Sequence, residues 1–213
     1  MRPTAHSLTV AVLLVGFSSA ILADSAVAQL GHGTQTGIFM LGIGTGSGTI
    51  TCTGCSHAGN MGGSAVTMQF GMKASPHLRM GFTADWWWHS RDTWERQLWE
   101  LTPAVLYYPA TVERGFFIEG GPSYSMVLAT VTDSTSLTRH GWGLAAGIGY
   151  DIAPQSMVSL TPIVQYSYTW VGDIDYPRGS GIPFARGWKH SVVSLKLGVT
   201  FRERQQQPSW STY

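Results

Sequence analysis

Three short constellations in the sequence carry residue types that could do chemistry. In His89-Ser90-Arg91-Asp92, with His140 further along, a serine, two imidazoles and a carboxylate are within reach of one another in principle. Nucleophilic catalysis needs a base about 3 Å from the hydroxyl and a third group to orient that base. Adjacent strand residues point to opposite faces, so His89 and Ser90 are poorly placed for each other unless the chain turns sharply. The alternative is a row of solvated polar residues at the end of a strand. In Cys52-Thr53-Gly54-Cys55-Ser56-His57 there are three zinc-type ligands but no visible fourth, and the spacing misses Cys-x-x-Cys-His by one residue. A close, even pair in an exported chain closes a small disulfide loop, so Cys52 and Cys55 are expected to be bridged. Asp173 and Asp175 are two carboxylates without further ligands, a weak cation signal. The Gly42 to Gly48 stretch resembles a phosphate cradle only in composition. No catalytic residue, metal site or cofactor is expected.

The composition narrows the setting for these residues. Only 12% of the 213 residues are charged, against ~25% in soluble domains, and 26 are Gly, where ~7% is usual. That argues against an ordinary soluble enzyme. Nine Trp, eight Tyr and eight Phe make the chain too aromatic for disorder, and a net charge of +1 offers nothing to nucleic acid. Residues 1–28 read as a secretory signal. Arg2 gives the positive start, Leu8 to Leu22 is almost wholly apolar, and Ala26-Val27-Ala28 precedes Gln29 as a small-residue cleavage site.

Beyond residue 36 the dominant pattern is period-2 alternation, the signature of strands with two unlike faces. Leu78, Met80, Phe82, Ala84, Trp86 and Trp88 alternate with Arg79, Gly81, Thr83, Asp85, Trp87 and His89. Val193, Leu195, Leu197, Val199 and Phe201 alternate with Ser194, Lys196, Gly198 and Thr200. Eight such strands can be read, at about Thr36 to Gly44, Ser64 to Ala74, Leu78 to His89, Gln97 to Tyr108, Gly115 to Leu128, Arg139 to Tyr150, Met157 to Trp170 and His190 to Phe201. Short Pro-containing connectors (Ser75 to His77, Pro109 to Glu113, Asp151 to Gln155) alternate with longer ones (Thr45 to Gly63, Ser90 to Arg96, Thr130 to Thr138, Val171 to Gly187). This asymmetry predicts an all-β, eight-stranded antiparallel up-and-down transmembrane barrel, with short turns on the periplasmic side and long loops outside.

In hydrocarbon the sheet must close and its apolar face must point outward. Running the strands up and down puts Trp86, Trp88, Trp99, Trp142, Tyr168 and Trp170 at the outer end and Tyr107, Phe116, Tyr150 and Phe201 at the inner end. These form two aromatic belts, as a bilayer demands and a soluble ligand-binding barrel does not. Eight strands enclose only enough space for side chains to fill. Lys73, Arg79 and Lys196 balance Asp85, Glu100 and Glu119 on the inward face, and they are expected to pair across the lumen or reach trapped water, Glu119 with Arg79 among them. Pro103, Pro122 and Pro162 interrupt strands and require bulges or locally widened pairing.

The signal segment, the Gly-rich first strand, the Ser75-Pro76-His77 turn before an amphipathic strand, and a last strand, Ser194 to Phe201, that ends on an aromatic carry a resemblance. The chain resembles the OmpA/OmpX-like small outer-membrane β-barrel families of Gram-negative bacteria over residues 34 to 202. The resemblance implies insertion by the barrel-assembly machinery. It also implies a layout of signal peptide (1–28), barrel (29–202) and a short periplasmic tail (203–213) without a peptidoglycan-binding domain. Three functions follow as expectations. The first is a structural or surface-interaction barrel whose loops meet lipopolysaccharide or an extracellular ligand. The others are a narrow porin-like channel for small solutes and a lipid A-modifying enzyme.

Overall fold

The computed structural model describes residues 37–53, 60–91, 94–110, 115–131, 135–152, 157–174 and 185–202. The expected signal segment and tail, His57, Asp92 and Asp175 lie outside them. Eight strands follow one another: β1 (Gly37–Thr53), β2 (Asn60–Ser75), β3 (Leu78–Arg91), β4 (Trp94–Tyr107), β5 (Gly115–Val131), β6 (Thr135–Asp151), β7 (Val158–Ile174) and β8 (Ala185–Arg202). Each pairs antiparallel with its neighbour in sequence, and β1 pairs with β8, so the sheet is a closed barrel. The face assignment follows the alternation. Ile43, Phe82, Leu144 and Leu197 are exposed outward, while Gln69, Arg79, Glu119 and Lys196 are buried within. The outward apolar run covers nine residues in β8 (Val193 to Phe201) and eleven in β3 (Leu78 to Trp88), the 9–11 residues a tilted strand needs to cross a bilayer core.

The strands extend into the expected long connectors. β1 continues from Gly44 to Thr53, β2 begins at Asn60, and β3 and β4 approach to within residues 92–93. The Gly-rich segment looked like a loop because it lacks an apolar alternation, yet its glycines have a packing reason to lie in a strand. Trp87 points inward, and its indole occupies the space that side chains on Gly46, Gly48 and Gly63 would take. A Cβ at Gly48 would stand 2.8 Å from the ring, and one at Gly63 would stand 2.7 Å from it. The indole Nε1 donates to the Gly46 carbonyl at 3.3 Å. The wall therefore rises above the apolar run, and its outward residues there are Thr45, Ser47, Thr49 and Thr51.

The prolines are accommodated without bulges. The β4 to β5 ladder stops after Leu101 opposite Tyr124 and resumes at Val105 opposite Gly120 in the same register, which sets Pro103 directly against Pro122. Two residues without an N–H face each other, so the missing donors fall at one place in the wall. At Pro162 the β6 to β7 ladder likewise stops at Gly149 opposite Ile163, and it resumes at Ile152 opposite Leu160. Register shifts occur elsewhere, near the strand ends at Thr51, Lys73 and Trp170.

The Trp87 slot makes a prediction. Trp87→Ala is expected to cost about 3–5 kcal/mol. Gly48→Leu should cost about 1–3 kcal/mol through overpacking, and clearly less in the Trp87→Ala background, where the slot is vacant. Equal costs in both backgrounds, measured by urea unfolding of the folded barrel, would contradict the slot.

Candidate functional site: the layered barrel interior

The inward-facing side chains form layers. Nearest the end that carries the β1–β2 and β3–β4 connections, Ile50 and Trp188 pack together, with Cys52, Met61 and Val171 against them. Cys52 is in a disulfide; its expected partner, Cys55, lies outside the described residues. Below these, Ala65, Trp87, Leu98, Val127 and Val192 form an apolar layer across the lumen. Towards the opposite end a second apolar layer consists of Met40, Ala104, Leu106, Tyr108, Phe117 and Ile163. The alternation supplies both layers, because each of these residues has the parity of the inward set of its strand.

A polar compartment lies between the layers. Lys196 on β8 forms an ion pair with Asp85 on β3 and donates to the Gln165 side-chain carbonyl on β7. Gln165 Nε2 in turn donates to Asp85 Oδ2 at 2.8 Å. Glu100 Oε1 accepts from Ser125 at 3.1 Å and Thr169 at 3.2 Å. Glu119 Oε2 accepts from Gln69 Nε2 at 2.7 Å, and that amide also donates to Thr83. Neutral donors therefore share with the one lysine the work of holding three inward-facing carboxylates, of which Glu100 and Glu119 are buried. A cavity of about 20 Å³ lies against Asp85, Glu100, Gln165, Ser167 and Lys196, with Trp87 and Leu98 on its upper side. That is room for about one water molecule.

A second polar cluster closes the lower end. Arg79 is fully buried, its guanidinium stands over the Tyr108 ring 5.3 Å from the centroid, and its Nη1 donates to the Tyr108 hydroxyl at 3.3 Å. Asp151 accepts from Arg202 at 2.7 Å, Thr161 at 2.7 Å and Tyr108 at 3.4 Å. Arg202 Nη1 also reaches Ser159 at 2.8 Å. Burial, with Asp151 alongside, pushes the Tyr108 phenol well above the usual tyrosine range, so its hydroxyl remains a donor. Lys73 faces inward near this end, beside Arg79 in the β2 to β3 register. Asp151 and Arg202 did not stand out in the sequence because each was assigned to the chain just beyond a strand. Extending the alternation of Gly149 and Thr200 by one step finds both.

On the outside the aromatic residues gather at two levels. Trp86 stacks on Trp88 at 4.4 Å and on Trp99 at 4.8 Å, Trp142 meets Tyr124 edge-on at 5.1 Å, and Tyr168 meets Trp170 at 4.6 Å. At the other level Phe116 faces Tyr150, Tyr107 faces Leu78 and Ile118, and Phe39 stacks on Phe201.

The described residues considered for catalysis do not come together. His89 turns inward, where its Nδ1 meets the Gly62 carbonyl at 2.6 Å and its ring stacks on Trp87, while Ser90 is exposed on the other face. His140 Nδ1 lies 2.9 Å from the Tyr124 hydroxyl on the outer wall. Asp173 accepts from the Gly187 N–H at 2.8 Å, a contact that ties β7 to β8.

No protein-family model and no curated protein matches this sequence. Among solved structures the chain is similar to small outer-membrane barrels. Neisserial surface protein A is 14% identical, with a TM-score of 0.48 over 76% of this chain and 96% of that one. Ail, the attachment invasion locus protein of Yersinia pestis, is 11% identical, with a TM-score of 0.44 over 78% and 99%. The outer membrane protein AlkL is 11% identical, with a TM-score of 0.47 over 83% and 95%. At this level of likeness the fold stands on the strand pairing of the chain itself.

The compartment yields a test by substitution. Lys196→Met leaves Asp85 buried without its cation and should cost about 3–5 kcal/mol. Adding Asp85→Leu should recover most of that loss. A double variant less stable than the single one, in the same unfolding assay, would show that the pair is not what holds these side chains in place.

Proposed function

We propose that this chain is an integral outer-membrane barrel with a filled interior, serving a structural or surface-interaction role through its outer end. The observation that carries the reading is the contrast between the two faces of one sheet. The outer face is apolar over the span a bilayer requires and is bounded by aromatic residues at both levels. The inner face is polar in the middle and closed by an apolar layer above and below. Lipid is the solvent that suits such an outer face, and the backbone has no open edge to satisfy within it.

The filled lumen favours this role over that of a solute conduit. A water-filled path would have to cross Trp87 and Leu98 at one level and Leu106 and Phe117 at another, and all four are buried in contact with their layers. The wall above the apolar run, with Thr45, Ser47, Thr49, Asn60 and Ser64 facing outward, gives the strands a polar extension into water. That extension and the connections it carries are the surface offered to lipopolysaccharide sugars or to another molecule outside the cell. The separation of His89 from Ser90 favours this role over lipid A modification.

Expressed with its signal segment, the protein should fractionate with the outer membrane and migrate on a gel at different apparent sizes before and after boiling. Reconstituted in planar bilayers, it should show no stable single-channel steps. Recovery as a dissolved periplasmic species would overturn the membrane role, and well-resolved conductance steps would replace it with a channel.

A further inference from the structure

Between the two apolar layers the described side chains carry three carboxylates, Asp85, Glu100 and Glu119, but only one ammonium, Lys196, which is committed to Asp85. Among the described residues, ion pairs join Lys196 to Asp85 and Arg202 to Asp151, and neither Glu100 nor Glu119 takes part in one. Glu100 thus rests on the hydroxyls of Ser125, Thr169 and Ser167, with no cation paired to it among the described residues. A buried carboxylate in that position is costly unless something neutralises it.

A second observation lies one step along the same strands. Thr102, two residues below Glu100 on β4, and Ser123, two residues below Ser125 on β5, fall opposite each other in the unbroken register across the seam. Thr102 is 2% exposed and Ser123 is 0% exposed, and neither hydroxyl has a hydrogen-bond partner. The position is cleared for them. A Cβ at Gly143 would stand 3.0 Å from Ser123 Oγ, and one at Gly121 would stand 3.2 Å from Thr102 Cγ2. Immediately below, Pro103 and Pro122 face each other, and neither can give the other's carbonyl an N–H. The seam therefore combines two hydroxyl oxygens that lack partners with an adjacent carboxylate that is in no ion pair.

We propose that the β4–β5 seam beside Glu100 is a binding site for a small monovalent cation, sodium or potassium, held by the hydroxyl oxygens of Thr102 and Ser123 and neutralising the carboxylate of Glu100. A proton on Glu100 would remove the charge but leave both hydroxyls without partners. A water molecule would serve the hydroxyls but leave the charge. A cation answers both needs with one particle, and an all-oxygen donor set suits a hard ion. No group of three or more His, Cys, Asp or Glu side chains fit to hold a metal occurs among the described residues, so a divalent ion is not the occupant inferred. The site stands on the filled interior and does not require the proposed role at the cell surface.

The test uses the full chain, folded in detergent micelles at fixed pH. Its Tm is compared in sodium, potassium and choline chloride at matched ionic strength. The wild type should show a saturable rise in Tm with one alkali cation over choline. Thr102→Val combined with Ser123→Ala should abolish that difference. Glu100→Gln should abolish it too and should raise the Tm in choline alone, which keeps the test alive if the double variant does not fold. Equal Tm values in alkali and choline salts would overturn the proposal, as would an alkali effect that survives in the variants. An infrared band of a protonated carboxyl group in sodium chloride, lost in Glu100→Gln, would overturn it by placing a proton where the cation is assigned.

Discussion

Closure of the backbone ladder governs everything else in this molecule. Strand groups that face hydrocarbon have no water to turn to, so each N–H and C=O along the apolar run must find its partner in a neighbouring strand, and the first strand must find the last. The pairing of β1 with β8 from Ile38 to Thr53 meets that demand. Once the ring is closed, parity leaves no freedom. Every second residue faces out and the rest share a lumen that eight strands make only wide enough for side chains. The apolar exterior, the layered interior and the filled lumen all follow from that one requirement.

Two departures from the ideal ladder show how the sequence meets the constraint. Prolines are normally confined to edges, which a closed barrel lacks, yet Pro103 and Pro122 are set opposite each other so that a single gap absorbs both missing donors. Glycine has the complementary role. Gly46, Gly48 and Gly63 leave the volume that Trp87 fills, and Gly147 leaves room for Glu119, whose Oε1 would lie 2.8 Å from a Cβ there. Gly149 and Gly198 likewise leave the space that Phe117 and Met40 fill, so these glycines are the negative image of large inward side chains on the facing strands.

That relation also explains what was legible in the sequence. Alternation fixed the strand count, the faces and the inward set, because these depend only on parity along one strand. The strand ends at the Gly-rich side were not legible, since Gly44 to Thr53 has no apolar rhythm and its reason to be a strand, Trp87, sits on β3. Pairing partners were hidden for a similar reason. Asp85 and Lys196 are far apart in sequence and meet only when the ring closes, as do Gln69 and Glu119. The contact of Arg79 with Tyr108 was hidden in the same way, because Tyr108 was taken only as the end of a strand.

The most direct test of the account is a scan of environment along β8. Each residue from Val193 to Val199 would be replaced in turn, as in Leu195→Cys, spin-labelled, and probed in bilayers with dissolved oxygen and with a water-soluble relaxant. Labels at 193, 195, 197 and 199 should be relaxed by oxygen, those at 194, 196 and 198 by neither agent, with a strict period of two. Strong relaxation of the outward set by the aqueous agent would contradict the claim that lipid is the solvent of this face.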